Sequence, residues 1–337
     1  MKKYFLLVLL IQLVSGSYAQ NKEIRLPADI FKIIDKSTRT YSIEQLNEPV
    51  KLPDYSSKII YPGFYKKINA DGSFSINTHV ASEQSMQFFN QAEKYFADRN
   101  YDSALFHYQK SYDADSNFLD PLVYMGQVYG LQKQTDKGIA VYRKVLAKND
   151  IDYMAHWFLA DLLKDKNNLK EALKEILTAH ILNRNNPRIL ISVKIILEAS
   201  GLQWNDWTFN PQYKLQEKGK DISLQYKSPW LGYAMAKAVQ QFEDPKNEEA
   251  GNDLMKDYID KEKECLLGLL VMLENDKEKD YNEKDFTCVN NAVKEKLTDE
   301  FILYETLLPS MPTIARQLPK AYIDDLVNYL VKVKFVK

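Results

Sequence analysis

Cysteine is nearly absent from this chain: Cys265 and Cys288 are the two thiols in 337 residues. Two thiolates do not complete a zinc site, and no histidine adjoins either in sequence, so neither structural zinc nor a cysteine–histidine nucleophile reads from this region. Histidine is equally scarce. His79, His107, His156 and His180 never stand one helical turn apart, which removes the HExxH zinc arrangement. There is no GxSxG elbow, phosphate-binding loop or dinucleotide glycine motif. No charge of one sign dominates: 45 Lys and Arg face 46 Asp and Glu, for a net charge of −1. Without a basic surplus to neutralise phosphates, nucleic acid is excluded as the expected partner. Beyond the first residues no apolar run reaches membrane-spanning length. The expectation is a chain with no catalytic residues, no metal and no cofactor.

What is present begins with an export signal over 1–19. Lys2 and Lys3 start it, Tyr4–Val14 is apolar except for Gln12, and Ser17-Tyr18-Ala19 offers a cleavage site before Gln20. No cysteine follows the apolar run, which argues against a lipid-anchored start. The expected localisation is periplasmic or secreted, with no stable membrane insertion once the signal is removed. Residues 20–82 differ in texture, broken by prolines at 27, 49, 53 and 62. A short helix is expected over Asp29–Lys36. Phe64–Ile68 and Ser73–Asn77 flank Asn69-Ala70-Asp71-Gly72, which reads as a hairpin turn; the ligand spacing of a calcium loop is missing.

Residues 83–200 carry an internal repeat. Ser85, Leu119 and Tyr153 stand 34 residues apart, and the slots that follow match in chemistry. Ala92, Gly126 and Ala160 share a small slot, as do Ala104, Gly138 and Ala172. Tyr95, Tyr129 and Leu163 share a large slot, as do Tyr108, Tyr142 and Ile176. Each unit reads as two amphipathic helices that approach closely where both are small, with large residues filling the space above and below. One such pair cannot bury its apolar face alone, so neighbours stack. This pattern resembles the tetratricopeptide repeat, W-x-x-L-G-x-x-Y followed by A-x-x-x-F and then P. The second copy, with Leu122, Gly126, Tyr129, Gly138 and Tyr142, fits best. The first has Gln91 in the leucine slot, the third has His156 in the tryptophan slot, and Ser116, Asp150 and Arg184 replace proline. Pro187–Ser200 reads as a half repeat ended by Gly201.

The expected fold is therefore mainly α. A solenoid of three repeats and a half repeat follows a short irregular or hairpin segment, and a helical domain over 201–337 follows the solenoid. In that domain Ser228-Pro229 is expected to open a helix running to Asp244. Further helices are expected over Asp253–Glu274, with Leu266–Leu273 buried, over Phe286–Leu308, and from Pro319 to Val333. If the second and third are antiparallel about residue 280, Cys265 and Cys288 are out of register by about 10 Å at a rise of ~1.5 Å per residue, against the ~7 Å Cα separation that a disulfide tolerates. No bond between them is expected.

Tetratricopeptide proteins hold a peptide or helix in a concave groove lined by the first helix of each unit. The resemblance places Phe89, Glu93 and Phe96 there from the first copy, Val123, Gln127 and Leu131 from the second, and Trp157, Asp161 and Lys164 from the third. The lysines and asparagines with which chaperone-binding members clamp a terminal carboxylate are missing. The implied partner is a protein or peptide with an apolar segment and basic flanks, and the implied role a non-enzymatic scaffold. Two alternatives stand beside it: an enzyme with its activity in 201–337, and a glycan or cell-wall binder using Trp204, Trp207 and Trp230 as exposed stacking platforms.

Overall fold

A computed structural model describes residues 24–69, 73–244, 254–275, 281 and 286–336. The expected signal over 1–19 and the tip of the hairpin turn lie outside them, as does the connection 276–280. The chain runs through α1 (Pro27–Asp35), β1 (Thr40–Gln45), β2 (Phe64–Ile68) and β3 (Phe74–Thr78). Seven helices follow: α2 (Glu83–Ala97), α3 (Tyr101–Ala114), α4 (Asp120–Leu131), α5 (Thr135–Lys148), α6 (Tyr153–Asp165), α7 (Leu169–Leu182) and α8 (Pro187–Ala199). Beyond them come β4 (Gln203–Trp204), β5 (Tyr213–Lys218), β6 (Asp221–Tyr226), α9 (Leu231–Phe242), α10 (Leu254–Asn275), α11 (Thr287–Lys294) and α12 (Thr298–Phe301). A π-helical turn (Ile302–Leu307), a 3-10 turn (Pro312–Gln317), α13 (Lys320–Tyr329), a second π turn (Leu330–Lys334) and β7 (Phe335–Val336) complete the chain.

The six helices α2–α7 break where the repeat places its turns, and α3, α5 and α7 are 14-residue helices stepped by 34. The small slots explain the close approach. Ala92, Ala160, Ala104 and Ala172 are fully buried. A Cβ on Gly126 would lie 2.5 Å from the Tyr142 ring, and one on Gly138 would lie 2.6 Å from Leu162. Tyr108, Tyr142 and Ile176 fill the large slot and are shut off from water. Arg99, Lys133 and Asn167, again 34 apart, turn the chain between the helices of each pair in the left-handed region, at φ 57°, 61° and 59°. The amides of Asn100, Gln134 and Asn168 reach back to the carbonyls of Tyr95, Tyr129 and Leu163, closing each first helix. The half repeat is α8, with Gly201 at φ 70° beyond its end.

The described residues form two compact units with bounds other than the segments 20–82, 83–200 and 201–337: one takes those up to Pro53 and those within 207–303, the other those within 54–206 and those from Tyr304 on. The purely helical reading of 201–337 is corrected by strands. In the first unit β6 is the centre of a three-stranded sheet, parallel to β1 and antiparallel to β5, with Ile222 and Leu224 facing the core. Helices α9 and α10 pack against each other and against α1. Their contact is closest at Gly232 and Gly268, where a Cβ on either would collide with the other's carbonyl oxygen. The α9 helix opens at Leu231, two residues after the expected Pro229, which follows a cis bond from Ser228. Along 266–273 only Leu266, Gly268 and Leu269 are buried, and the remainder is half-buried. The expected single helix over Phe286–Leu308 is interrupted at Glu295–Leu297, where Lys296 takes φ 59°.

In the second unit the segment before the repeats lies along the loops joining one repeat to the next. Asn183 accepts from the Ile60 amide and donates to the Ile60 carbonyl, both at 2.9 Å. Asn149 donates to the Phe64 carbonyl at 2.9 Å and accepts from the Lys66 amide at 3.3 Å. Asp115 receives the Ser82 amide at 3.0 Å and pairs with His79 at 2.8 Å. These three residues stand at one repeat slot, 34 apart, directly after α3, α5 and α7.

Candidate functional site

Successive first helices of the pairs pack on one another, α4 with α6 and α6 with α8. The first helices therefore line the inner, concave side of the stack, and the residues expected in the groove lie on them. Phe89, Glu93 and Phe96 are half-buried, as are Gln127, Trp157, Asp161 and Lys164; Leu131 is exposed and Val123 is buried.

At the α2 end the aromatic slot is filled from within the solenoid. Phe89 contacts Tyr108, Phe118 and Tyr124 with ring centroids 5.2–5.7 Å apart, and Phe96 meets Tyr101. Glu93 accepts the Tyr108 hydroxyl. Toward α8 the face opens. Trp157 stacks on Phe158 at 5.3 Å, and its indole Nε1 donates to Ser192 Oγ at 2.8 Å. The slot of Phe89, Val123 and Trp157 continues in the half repeat as Ile191, and the slot of Glu93, Gln127 and Asp161 continues as Ile195. Both isoleucines are large apolar side chains in water, 58% and 48% exposed. They were missing from the expected groove, although the same 34-residue step from Trp157 and Asp161 reaches them. In the half repeat that covers the end of the stack, these two slots carry isoleucines where the third copy has Trp157 and Asp161.

Acids edge this face. Burial pushes Asp161 up to about 6, with Asp165 adding to the shift and Lys164 opposing it. Burial also pushes Asp120, the first residue of α4, up to about 6, and Asp152 at the start of α6 adds to this. Lys164 also pairs with Asp165 at 3.4 Å. A cation approaching between Asp161 and Ile195 meets an acid that water solvates poorly.

Elsewhere the polar clusters are internal. In the first unit Lys237 and the Tyr233 hydroxyl both bind Glu262, and burial raises the Cys265 thiol well above its ordinary value. Such a thiol is held neutral and unreactive. Cys288 is buried as well. Arg25 forks onto Asp244 and Glu264 at 2.5 and 2.7 Å. Among the described residues no group of His, Cys, Asp or Glu is placed to hold a metal ion, and no helix is long and apolar enough to cross a membrane.

The tryptophan platforms are corrected. Trp230 is 6% exposed and packs on Phe209, Tyr233 and Phe286. Trp207 lies against Phe209 and Phe301, and Trp204 lies edge-on to His180 and against Phe335. Trp230 therefore offers no exposed platform, while Trp204 and Trp207 are half-buried.

No family model matches the chain, and no curated protein matches it. Solved structures similar to it are tetratricopeptide proteins. The first tetratricopeptide domain of Spaghetti (RPAP3), bound to the HSP90 peptide SRMEEVD, is 22% identical; the match covers 36% of this chain and 99% of that one, with a TM-score of 0.35. The type III secretion chaperone SycD of Yersinia enterocolitica, in complex with a peptide of the translocator YopD, is 19% identical over 35% of this chain and 96% of that one, with a TM-score of 0.32. A tetratricopeptide repeat protein from Parabacteroides merdae is 10% identical over 74% of this chain and all of that one, with a TM-score of 0.33. The tetratricopeptide-type fold of 83–199 rests on the 34-residue geometry itself: three helix pairs in one register, with small residues at each crossing and a fourth first helix.

Proposed function

We propose that the chain is an exported protein-interaction module whose concave face holds an apolar helix with basic flanks, supplied by a partner protein. The observation that carries this reading is the pair Ile191 and Ile195, large and water-exposed, in register with Trp157 and Asp161 on the inner face. Two isoleucines one turn apart beside an indole match the i, i+4 anchors of an amphipathic helix, and the acids favour Lys or Arg at its ends. Export is supported by the sequence of 1–19 alone. Intact-mass measurement of the protein recovered from expressing bacteria tests it: a mature chain starting at Gln20 is expected, and a full-length cytoplasmic chain ends that part of the reading.

Binding is tested by calorimetric titration with amphipathic helical peptides carrying lysine flanks and their glutamate-flanked counterparts. The lysine peptides are expected to bind and the glutamate peptides to fail. Ile191→Glu and Ile195→Glu, at exposed positions, are expected to leave the melting temperature near that of the parent and abolish binding. Affinity is expected to rise between pH 5 and 7. The cation binds the ionised form of Asp161, and a carboxyl raised to about 6 is mostly neutral below that value. In the unliganded protein the same raised pKa favours folding below the ordinary value of 3.8, and that contribution is lost as pH rises through 6. Equal binding of both peptide types, or binding by the glutamate variants, overturns the groove assignment.

A further inference from the structure

A second concavity lies in the solenoid-containing unit, a cleft of about 450 Å³ between residues 58–64 and 310–316. None of the inner-face residues lines it, so its assignment is independent of the groove reading. Its lining carries two cations, Lys58 and Arg316, and no carboxylate. Arg316, in the 3-10 turn, is 4% exposed. Its guanidinium lies 4.2 Å over the Phe64 ring and donates to the Tyr61 carbonyl at 2.8 Å. Among the described residues it makes no ion pair; Asp152 acts on it only at longer range. Arginine is seldom buried to this degree without an acid beside it, because a desolvated charge is costly unless it is paired. Burial accordingly pulls its pKa down to about 10, and Tyr153 and Asp152 oppose the shift. Lys58 is no substitute partner, since its ammonium donates to the Ser310 carbonyl at 2.6 Å. The cleft thus holds a buried positive charge with no acid in contact among the described residues, at a mainly apolar wall, with Tyr61 and Met311 standing open to water.

We propose that this cleft binds a small organic carboxylate with an apolar body, its carboxylate on Arg316 and its body against Tyr61, Phe64 and Met311. A planar carboxylate suits the guanidinium fork, and the Lys58 ammonium at the cleft adds to the attraction for an anion. A phosphate dianion would have to shed more water than this wall returns. A bound peptide strand is disfavoured by the backbone of 58–61. The Lys58 carbonyl is taken by Asn185, both Ile60 groups by Asn183, and the Tyr61 carbonyl by Arg316. Little of that edge is left to pair with an incoming main chain.

The test is calorimetric titration of the intact protein with octanoate, 3-phenylpropionate, the amide of each, inorganic phosphate, and N-acetyl-Leu-Phe as a chain-end probe. The two small acids are expected to bind, and the amides and phosphate to fail. Arg316→Gln keeps a donor for the Tyr61 carbonyl but loses the charge. Met311→Asp sets a carboxylate at the mouth on an exposed side chain. Each is expected to weaken acid binding about ten- to a hundredfold, the range that one charge-assisted hydrogen bond spans. If Arg316→Gln does not fold, Met311→Asp alone decides. The proposal is overturned if neither acid binds at millimolar concentration, if acid and amide bind alike, if phosphate binds better than the acids, if the dipeptide binds better than both, or if Met311→Asp binds as the parent does.

Discussion

Asn183 shows how one side chain performs the work of a strand. Its amide makes the two hydrogen bonds that a neighbouring backbone would make to Ile60, in a buried setting. Asn149 spreads the same donor and acceptor over Phe64 and Lys66. At the first slot Asp115 has no donor to give, and it receives an amide and an imidazole instead. The identity of the residue therefore follows from what the passing segment presents. Asn183→Leu leaves a buried N–H and a buried C=O unpaired, each costing about 1–3 kcal/mol, so a loss of about 2–6 kcal/mol is expected in urea denaturation. Asn183→Asp is the sharper probe. It keeps an acceptor for the Ile60 amide but turns an oxygen toward the Ile60 carbonyl, and it is expected to destabilise as well. An aspartate variant as stable as the parent would show that the donor half of the pair contributes nothing.

At the level of elements, a close helix contact lies outside the repeats, where the Gly232 and Gly268 backbones of α9 and α10 meet. A methyl at either position meets main chain rather than a movable side chain, so Gly268→Ala is expected to cost at least the ~1–3 kcal/mol of ordinary overpacking. Gly126→Ala meets the Tyr142 ring, which can rotate or shift, and is expected to cost less. Thermal melts of the two variants rank them, and the reverse order would refute this packing account. The difference between side-chain and backbone contact also marks what the sequence reveals. The repeat helices are legible because Ala92, Gly126 and Ala160 recur in step, and each helix end is then located by the period. Where no period exists, the ends disappear. Lys296 breaks the helix expected over 286–308 in the conformation that Arg99, Lys133 and Asn167 adopt, without the glycine that usually announces it. The β5–β6 hairpin carries a local signal in Leu215, Ile222 and Leu224 around Gly219 at φ 66°. The parallel partner β1 had none, since Thr40–Gln45 pairs with residues about 180 positions away and its side chains are mostly exposed. On the inner face, the 34-residue step reaches Trp157 and Asp161 from the first two copies. The expected groove stops one helix short of Ile191 and Ile195 because the half repeat lacks its second helix.

For the whole molecule, each unit is built from two separated stretches, and the last of these, 304–337, belongs with the solenoid. Its contacts are dense. The Tyr304 hydroxyl meets His180 Nε2 at 2.7 Å, the Tyr304 carbonyl receives Arg184 at 3.0 Å, and Asp324 pairs with Lys174 at 2.9 Å. Glu305, fully buried, takes the Tyr329 hydroxyl at 3.1 Å and pairs with Lys334 at 3.3 Å. Burial, with Arg184 and Lys334 adding to it, holds His180 down to about 3, so the histidine stays neutral in the folded chain; its contribution to stability is full above the ordinary value of 6.5 and is lost as pH falls from there toward 3. Tyr304, Leu308, Leu326, Tyr329 and Leu330 are shut off from water. At about 1.5–3 kcal/mol for each fully buried large side chain, these five represent about 7–15 kcal/mol, comparable with the ~5–15 kcal/mol that holds a whole domain folded. A chain ending at Leu303 is therefore expected to lose cooperative folding of the solenoid, although every repeat is intact. Circular dichroism melts and hydrogen exchange on the parent and the shortened chain test this. The expected result is loss of amide protection across α7 and α8, spreading to α6. A shortened chain that melts within a few degrees of the parent, with α7 and α8 still protected, would mean that the repeats stand alone and that 304–337 only rests on them.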